Sequence, residues 1–352
     1  MTKRGARRGV LSPGAIALHF GAIAPHLGAI ALPFGVIALL SGAIALLLGA
    51  LYGSASQRPE KMQATRNQNS FEDMRDATTT AAAPDTTVAR RTLVLAHRGG
   101  AGLWPENTAH AFRQAVALGV DVLEMDLHAT SDGALVVIHD GTVERTTNGT
   151  GRVNALTLAE LKKLDAGYRW TNDGGRTFPF RGKGITVPTL GEVLEEFPQT
   201  LLNIDIKQAQ PSLIKSFCRA LRESRATGRA TVASFNAQVL AEFRRECPEV
   251  RTSASFDEVM ALASDLQAGR DIAADKTRTR LVQVPETAFG RAWLTAELVA
   301  SAHRGGLEIH VWTVNDEAAM RRLVALGVDG IVTDYPDKLV ALLKQAARPA
   351  VQ

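Results

Sequence analysis

From Arg91 onward, two hydrophobic periods alternate along the chain. Short runs rich in Val, Ile and Leu read as strands: Leu93–His97, Val122–Leu127, Leu201–Lys207, Thr231–Phe235, Arg251–Ser255, Leu281–Val284, Glu308–Val314 and Gly330–Thr333. Between them, apolar residues spaced three and four apart predict amphipathic helices. Examples are Thr108–Leu118, Leu213–Glu223, Ala237–Glu246, Thr295–His303, Glu317–Leu326 and Asp337–Lys344. Eight strands separated by helices predict an α/β architecture, a TIM-type (β/α)8 barrel over residues 91–346.

The segment from Glu124 to Asp140 breaks the alternation. Strand Val122–Leu127 runs through Ser131-Asp132-Gly133 into a second strand, Ala134–His139, and an Asp-Gly between β-rich runs signals a hairpin. The second strand is therefore expected to fold back, bringing His139 toward the strand end that carries Glu124 and Asp126. An insertion from Gly141 to Ile185 follows over the same face.

Ahead of the barrel lie two segments of different character. Residues 1–53 begin with Lys3, Arg4, Arg7 and Arg8 and then carry no Asp, Glu, Lys or Arg. Within them a seven-residue repeat places Gly14, Gly21, Gly28, Gly35, Gly42 and Gly49 before Ala or Val. The uninterrupted stretch Phe34–Tyr52 is about long enough to cross a bilayer core. The basic residues before it predict an N-terminus left in the cytoplasm. This segment reads as a membrane anchor or a signal, with Gly53-Ser54-Ala55 as a small-residue cleavage site. Either way the barrel is expected outside the cytoplasm. The alternative is that the repeat is translated repetitive DNA, with Met62 or Met74 the true start and a cytoplasmic product. Residues 54–90 are polar, without an apolar period, and read as a flexible linker.

Charge narrows the partners. The formal net charge is +4, but residues 1–91 hold ten Lys/Arg against five Asp/Glu, which leaves −1 for residues 92–352. With no basic stripe on the body, nucleic-acid binding is not expected. Cys218 and Cys247 fall in helical stretches and are read as free thiols, with a disulfide the open alternative.

Candidate chemistry sits at the C-terminal strand ends, where barrel enzymes work. The first strand ends in His97-Arg98-Gly99-Gly100. The second carries Glu124 and Asp126 on one face, and the third carries Asn203, Asp205 and Lys207 on one face. Converging carboxylates in a barrel mouth need compensation. A divalent cation on Glu124, Asp126 and Asp205 supplies it, and all-oxygen ligation points to Mg²⁺ or Ca²⁺ rather than zinc. The competing reading is a salt-bridge network with Arg98 and Lys207. His97 and His139 suit a reaction that takes a proton from one oxygen and returns one to another. Arg98 and Lys207 suit a phosphate. His110, His128, His303 and His310 lack such company and are taken as structural.

The run His97-Arg98-Gly99-Gly100, Pro105-Glu106-Asn107-Thr108, Glu124-Met125-Asp126, Asp132-Gly133, His139-Asp140 and Arg145-Thr146-Thr147 resembles the signature of the glycerophosphodiester phosphodiesterase family. The resemblance continues through Ile185–Leu190, Asn203–Lys207, Trp312-Thr313-Val314-Asn315 and Gly330–Asp334. It implies a metal-dependent TIM-type barrel that hydrolyses glycerophosphodiesters to an alcohol and glycerol 3-phosphate. Carried over, it makes His97 and His139 the acid/base pair and Glu124, Asp126 and Asp205 the metal ligands. Arg98 and Lys207 become phosphate contacts, and Trp312 lines the substrate pocket. Many members have Glu where this chain has Asp205, one methylene shorter. A lysophospholipase D activity on an acyl-bearing lysophospholipid is the near alternative, with Trp170, Phe178 and Phe180 of the insertion as apolar contacts or as the insertion's own core. A non-catalytic, membrane-anchored binding protein is the remote one.

Overall fold

The computed structural model describes residues 91–267, 279–288, 291–292 and 294–346. The expected leader and linker, residues 1–90, lie outside the described residues. Along the chain come β1 (Leu93–Ala96), α1 (Ala109–Leu118), β2 (Val122–Ala129), β3 (Leu135–Val137), α2 (Leu158–Leu161), α3 (Leu190–Glu196), β4 (Leu201–Ile206) and α4 (Ile214–Glu223). Then follow β5 (Ala230–Ala233), α5 (Ala237–Glu246), β6 (Arg251–Thr252), α6 (Phe256–Gln267), β7 (Leu281–Pro285), β8 (Thr287–Ala288) and β9 (Arg291–Ala292). The chain ends with α7 (Ala296–Arg304), β10 (Glu308–Trp312), α8 (Glu317–Leu326), β11 (Gly330–Thr333) and α9 (Pro336–Ala346).

Eight parallel strands run in the order β6-β5-β4-β2-β1-β11-β10-β7. The two ends meet where the Ala254 N–H donates to the Leu281 carbonyl at 2.7 Å, so the barrel is nearly closed. The eight expected strands are these eight, within a few residues at their ends. β3 pairs antiparallel with β2, Leu127 beside Val137, and the Thr130–Gly133 turn has Gly133 at a φ of 81°. The Asp-Gly hairpin thus forms as its turn chemistry demands.

Amphipathic helices cover the outside of the sheet. Phe112, Phe217, Leu221 and Phe243 pack on Leu123, Met125, Ile204 and Val232 from one side, and Met320, Leu323 and Leu339 pack on Val94, Ile309 and Ile331 from the other. Starts are capped by the residues expected of them: the Thr108, Thr189 and Asp316 side chains accept from Ala111, Glu192 and Ala319 N–H groups. Inside the barrel, Leu93, Leu95, Val122 and Val332 form a small apolar layer. The insertion has its own core of Val136, Ile138, Val143, Val153 and Leu161. Helix α6 was not anticipated from the sequence, nor were the short α2 and α3.

The free-thiol reading of the cysteines is corrected. Cys218 in α4 and Cys247 at the end of α5 form a disulfide, with Cα atoms 5.8 Å apart. The reason is helix packing: Phe217 stacks on Phe243 at 5.4 Å, so neighbouring positions on the two helices meet.

Candidate active site

The turn after β1 fixes the first residues of the site. Arg98, Gly99 and Gly100 all have positive φ, at 52°, 85° and 97°. A Cβ on Gly99 would lie 2.8 Å from both Ala111 and Phe112, so backbone and packing together require glycine there. This turn directs the Arg98 N–H onto Glu124 Oε2 at 2.8 Å. It also sends the guanidinium across to Glu106 Oε1, 2.9 Å from Nη1, and to Asp126 Oδ2, 3.2 Å from Nε.

Strand register sets the carboxylates. Asp126 of β2 stands beside Asp205 of β4, and Glu124 beside Asn203. All four side chains face the barrel interior and are buried. Lys207, just beyond β4, places Nζ 2.6 Å from Asp205 Oδ2 and 3.2 Å from Asp126 Oδ1. Asn107 donates to Asp126 Oδ2 at 2.8 Å and accepts from its N–H. Burial opposes the charge on Asp126, but Lys207 and Arg98 outweigh it and hold the carboxyl well below the usual range. Glu124 goes the other way: burial first, then the Asp126 charge, push it up to about 7.

Both histidines reach the mouth, and each is held by a carboxylate. His97 Nδ1 lies 2.6 Å from Asp334 Oδ1, and Asp334 in turn accepts from Asn315 Nδ2 at 2.7 Å. Burial alone would lower the His97 value, yet Glu124 and Asp334 raise it. The β2–β3 hairpin delivers His139, whose Nδ1 lies 2.6 Å from Asp140 Oδ1. Arg145 clamps this pair to the loop after the first strand, donating to Asp140 Oδ2 at 2.6 Å and to both oxygens of Glu106 at 2.6 and 2.8 Å. An unbroken chain of hydrogen bonds and ion pairs thus runs His139–Asp140–Arg145–Glu106–Arg98–Asp126. Beneath it, His128 Nε2 lies 3.1 Å from the His139 carbonyl, so His128, expected to be structural, supports the site from below.

The salt-bridge reading of the carboxylates is present in the structure. Among the described residues, no three acidic, His or Cys side chains are gathered as a metal cage; Arg98 pairs with Asp126 and Lys207 with Asp205. The donor set nevertheless fits a hard divalent cation. Asp205 Oδ1 is buried with no hydrogen-bond partner, and burial together with the Asp126 charge pushes Glu124 up to about 7. Three carboxylates and no sulfur suit Mg²⁺ or Ca²⁺.

Trp312 closes β10 and meets Phe235 edge-on, ring centroids 5.7 Å apart. Phe235 follows β5 and is 53% exposed, and Lys207 Nζ lies 5.4 Å from its ring. The insertion aromatics are mostly engaged with one another: Trp170 packs on Phe180 at 5.0 Å and donates its N–H to the Ala101 carbonyl at 3.0 Å. Phe180 also meets His110 at 5.1 Å, so these rings pack the insertion onto the barrel rim.

Comparison with known proteins places this geometry. The profile of the glycerophosphoryl diester phosphodiesterase family matches residues 97–338, the span that holds every residue of the site. The chain belongs to the glycerophosphoryl diester phosphodiesterase family. With it, the chain belongs to the phosphoric diester hydrolases. A glycerophosphodiester phosphodiesterase of Caldanaerobacter subterraneus subsp. tengcongensis is 35% identical over 264 residues, covering 72% of this chain and 99% of its own. The lysophospholipase D GDPD1 of Mus musculus is 30% identical over 273 residues, 70% of this chain and 84% of its own. Among solved structures, an Oleispira antarctica phosphodiesterase in complex with the product sn-glycerol-3-phosphate superposes with a TM-score of 0.56 at 25% identity, over 72% of this chain and 97% of that one.

Glu106, Asn107, Asp140, Arg145, Asn315 and Asp334 received no role from the sequence, though each stands in a motif that carries the family resemblance. Their signal was adjacency. Asp140 follows His139, Glu106-Asn107 closes the loop after Arg98, and Asp334 ends the last strand beside the first.

Proposed function

We propose that this chain hydrolyses glycerophosphodiesters to an alcohol and glycerol 3-phosphate, using His97 and His139 as acid and base and a divalent cation, Mg²⁺ or Ca²⁺. The observation that carries the reading is the pair of imidazoles, each with Nδ1 on a carboxylate. With Nδ1 occupied, Nε2 is the nitrogen that exchanges protons, and the carboxylate stabilises the imidazolium that forms.

Glu124, Asp126 and Asp205 are the residues that would hold the cation. When bound, the cation neutralises phosphate charge. Arg98 and Lys207 present their own positive charge to the phosphate oxygens. One histidine takes the proton of the glycerol hydroxyl next to the phosphate, and that oxygen attacks phosphorus. The bond to the alcohol breaks, and the other histidine protonates the departing oxygen. Water, deprotonated by the histidine that has just given up its proton, opens the cyclic phosphate. The first histidine then returns its proton to the glycerol oxygen. Trp312 lines the side of the pocket that receives the glycerol or its substituent.

The reading places the catalytic barrel outside the cytoplasm, tethered or exported through residues 1–53. The Cys218–Cys247 disulfide supports this, since such bonds persist in oxidising compartments. A second reading, lysophospholipase D action, is favoured by one feature. The exposed Phe235 stands against Trp312 at the mouth, an apolar surface where an acyl-bearing substituent would lie. Rates on glycerophosphocholine and on its lyso-acyl counterpart decide between them. A higher kcat/KM for the first supports the glycerophosphodiesterase reading, and a preference for the second replaces it.

A further inference from the structure

Charge within the barrel domain is segregated. The insertion, residues 141–185, holds eight Lys/Arg against four Asp/Glu, while the rest of residues 92–352 carries a balance of −5. The concentration is sharpest in residues 167–184, where Arg169, Arg176, Arg181 and Lys183 face Asp173 alone. All four basic side chains are exposed. Asp173 is consumed internally, accepting from the Thr171 and Thr177 hydroxyls and from the N–H groups of Arg176 and Thr177.

This segment is a closed arm. Asp165 ties its two ends, accepting from Gly167 N–H at 2.9 Å and Gly182 N–H at 2.7 Å. Along it, Tyr168, Trp170, Phe178 and Phe180 are half-buried, and the Arg181 guanidinium lies 4.0 Å from the Tyr168 ring centre and 3.9 Å from that of Phe178. Trp170 and Phe180 fasten it to the rim of the barrel mouth, on Ala101 after β1 and on His110 at the start of α1. Across the mouth stands Phe235, the most exposed large apolar side chain of the described residues.

We infer that the arm residues 167–184 are a docking surface for an anionic phospholipid bilayer, which brings the barrel mouth to the membrane independently of the apolar N-terminal segment. The exposed Arg and Lys side chains around the half-buried Tyr168 ring match the headgroup layer of such a surface. Each Lys or Arg near an anionic leaflet adds about 1 kcal/mol, equivalent to about a fivefold gain in partition. The opposite charge on the rest of the domain sets the orientation, since the acidic body is repelled by the lipid that attracts the arm. A nucleic acid would meet the same cations, but the adjoining mouth is lined by the carboxylates Glu124, Asp126 and Asp205.

A chain beginning at Arg91 isolates this surface from the leader. It is expected to fold alone, because the Caldanaerobacter relative matches this region over 99% of its own length. Flotation with vesicles of phosphatidylcholine alone, and with about one-third phosphatidylglycerol, is compared for this chain and for R176E/K183E. Binding is expected only to the phosphatidylglycerol vesicles, falling steeply as salt is raised. The double variant is expected to lose it by about tenfold or more while hydrolysing soluble glycerophosphocholine at the parent rate. Equal binding to both vesicles, full binding by the double variant, or tighter retention of a short DNA duplex than of anionic vesicles would each overturn the assignment.

Discussion

His97 and Asp334 come from strands that are neighbours only because the barrel closes on itself: β1 pairs with β11 in parallel, and the two side chains meet at 2.6 Å. Asp334 touches no substrate in the proposed reaction and acts by fixing the tautomer and tilt of His97. Asp334→Ala is expected to lower kcat about a hundredfold or more with KM within about threefold. Steady-state kinetics on glycerophosphocholine check this. A loss confined to KM would show that Asp334 serves binding instead.

Glu106 holds two guanidinium groups at once, Arg98 and Arg145. Burial opposes its charge, yet the two arginines keep its carboxyl below the usual range. Glu106→Gln removes that charge and leaves both cations undercompensated, which costs on the order of 3 kcal/mol. Thermal denaturation should show the drop. Activity should fall with it, because Arg98 loses the partner that aims it across the mouth. An unchanged melting temperature would mean the network is slack.

Metal affinity should depend on pH through Glu124. Its carboxyl is pushed up to about 7, so protons and a cation compete for the same oxygens. Calorimetric titration with Mg²⁺ should show apparent affinity falling about tenfold per pH unit below that value and levelling above it. In metal-free protein the sign for stability is opposite to that of a paired carboxylate. The folded chain keeps a proton that the unfolded chain loses above about 4.5, so stability declines as pH rises from there to about 7. Equal Mg²⁺ affinity at pH 6 and pH 8 would remove Glu124 from the ligand set.

The architecture was open to sequence reading because each barrel strand is a short β-rich run and the helices between carry an apolar period of three and four. All eight strands and the hairpin through Asp132-Gly133 were found that way. The convergence of Glu124, Asp126, Asp205 and Lys207 was also legible, since alternation along a strand assigns a face without any structure. What stayed hidden depends on barrel closure or on loop paths. No local pattern links His97 to Asp334, or Arg145 to Glu106. Helix α6 was not singled out, although Phe256, Val259, Met260, Ala263 and Leu266 keep the three-and-four spacing of an amphipathic helix. The cysteines were misjudged because their contact follows from how α4 and α5 pack, as Phe217 and Phe243 show.

The Cys218–Cys247 disulfide encloses a loop of 29 residues of sequence separation. On loop entropy alone, opening it should cost about 3 to 4 kcal/mol. The Cys218→Ser/Cys247→Ser variant should melt roughly 10 °C lower, with kcat at room temperature unchanged, since neither residue nears the mouth. Thiol titration of the denatured, unreduced protein should find no free thiol. Two free thiols per chain would contradict the pairing.

The most direct measurement follows glycerol 3-phosphate released from glycerophosphocholine by residues 91–352, stripped of metal and then supplied with Mg²⁺ or Ca²⁺, with His139→Ala alongside. Release that requires the cation and that the variant lacks is the expected result. No release under any metal, or release that His139→Ala retains, would contradict a metal-dependent glycerophosphodiesterase working through His97 and His139.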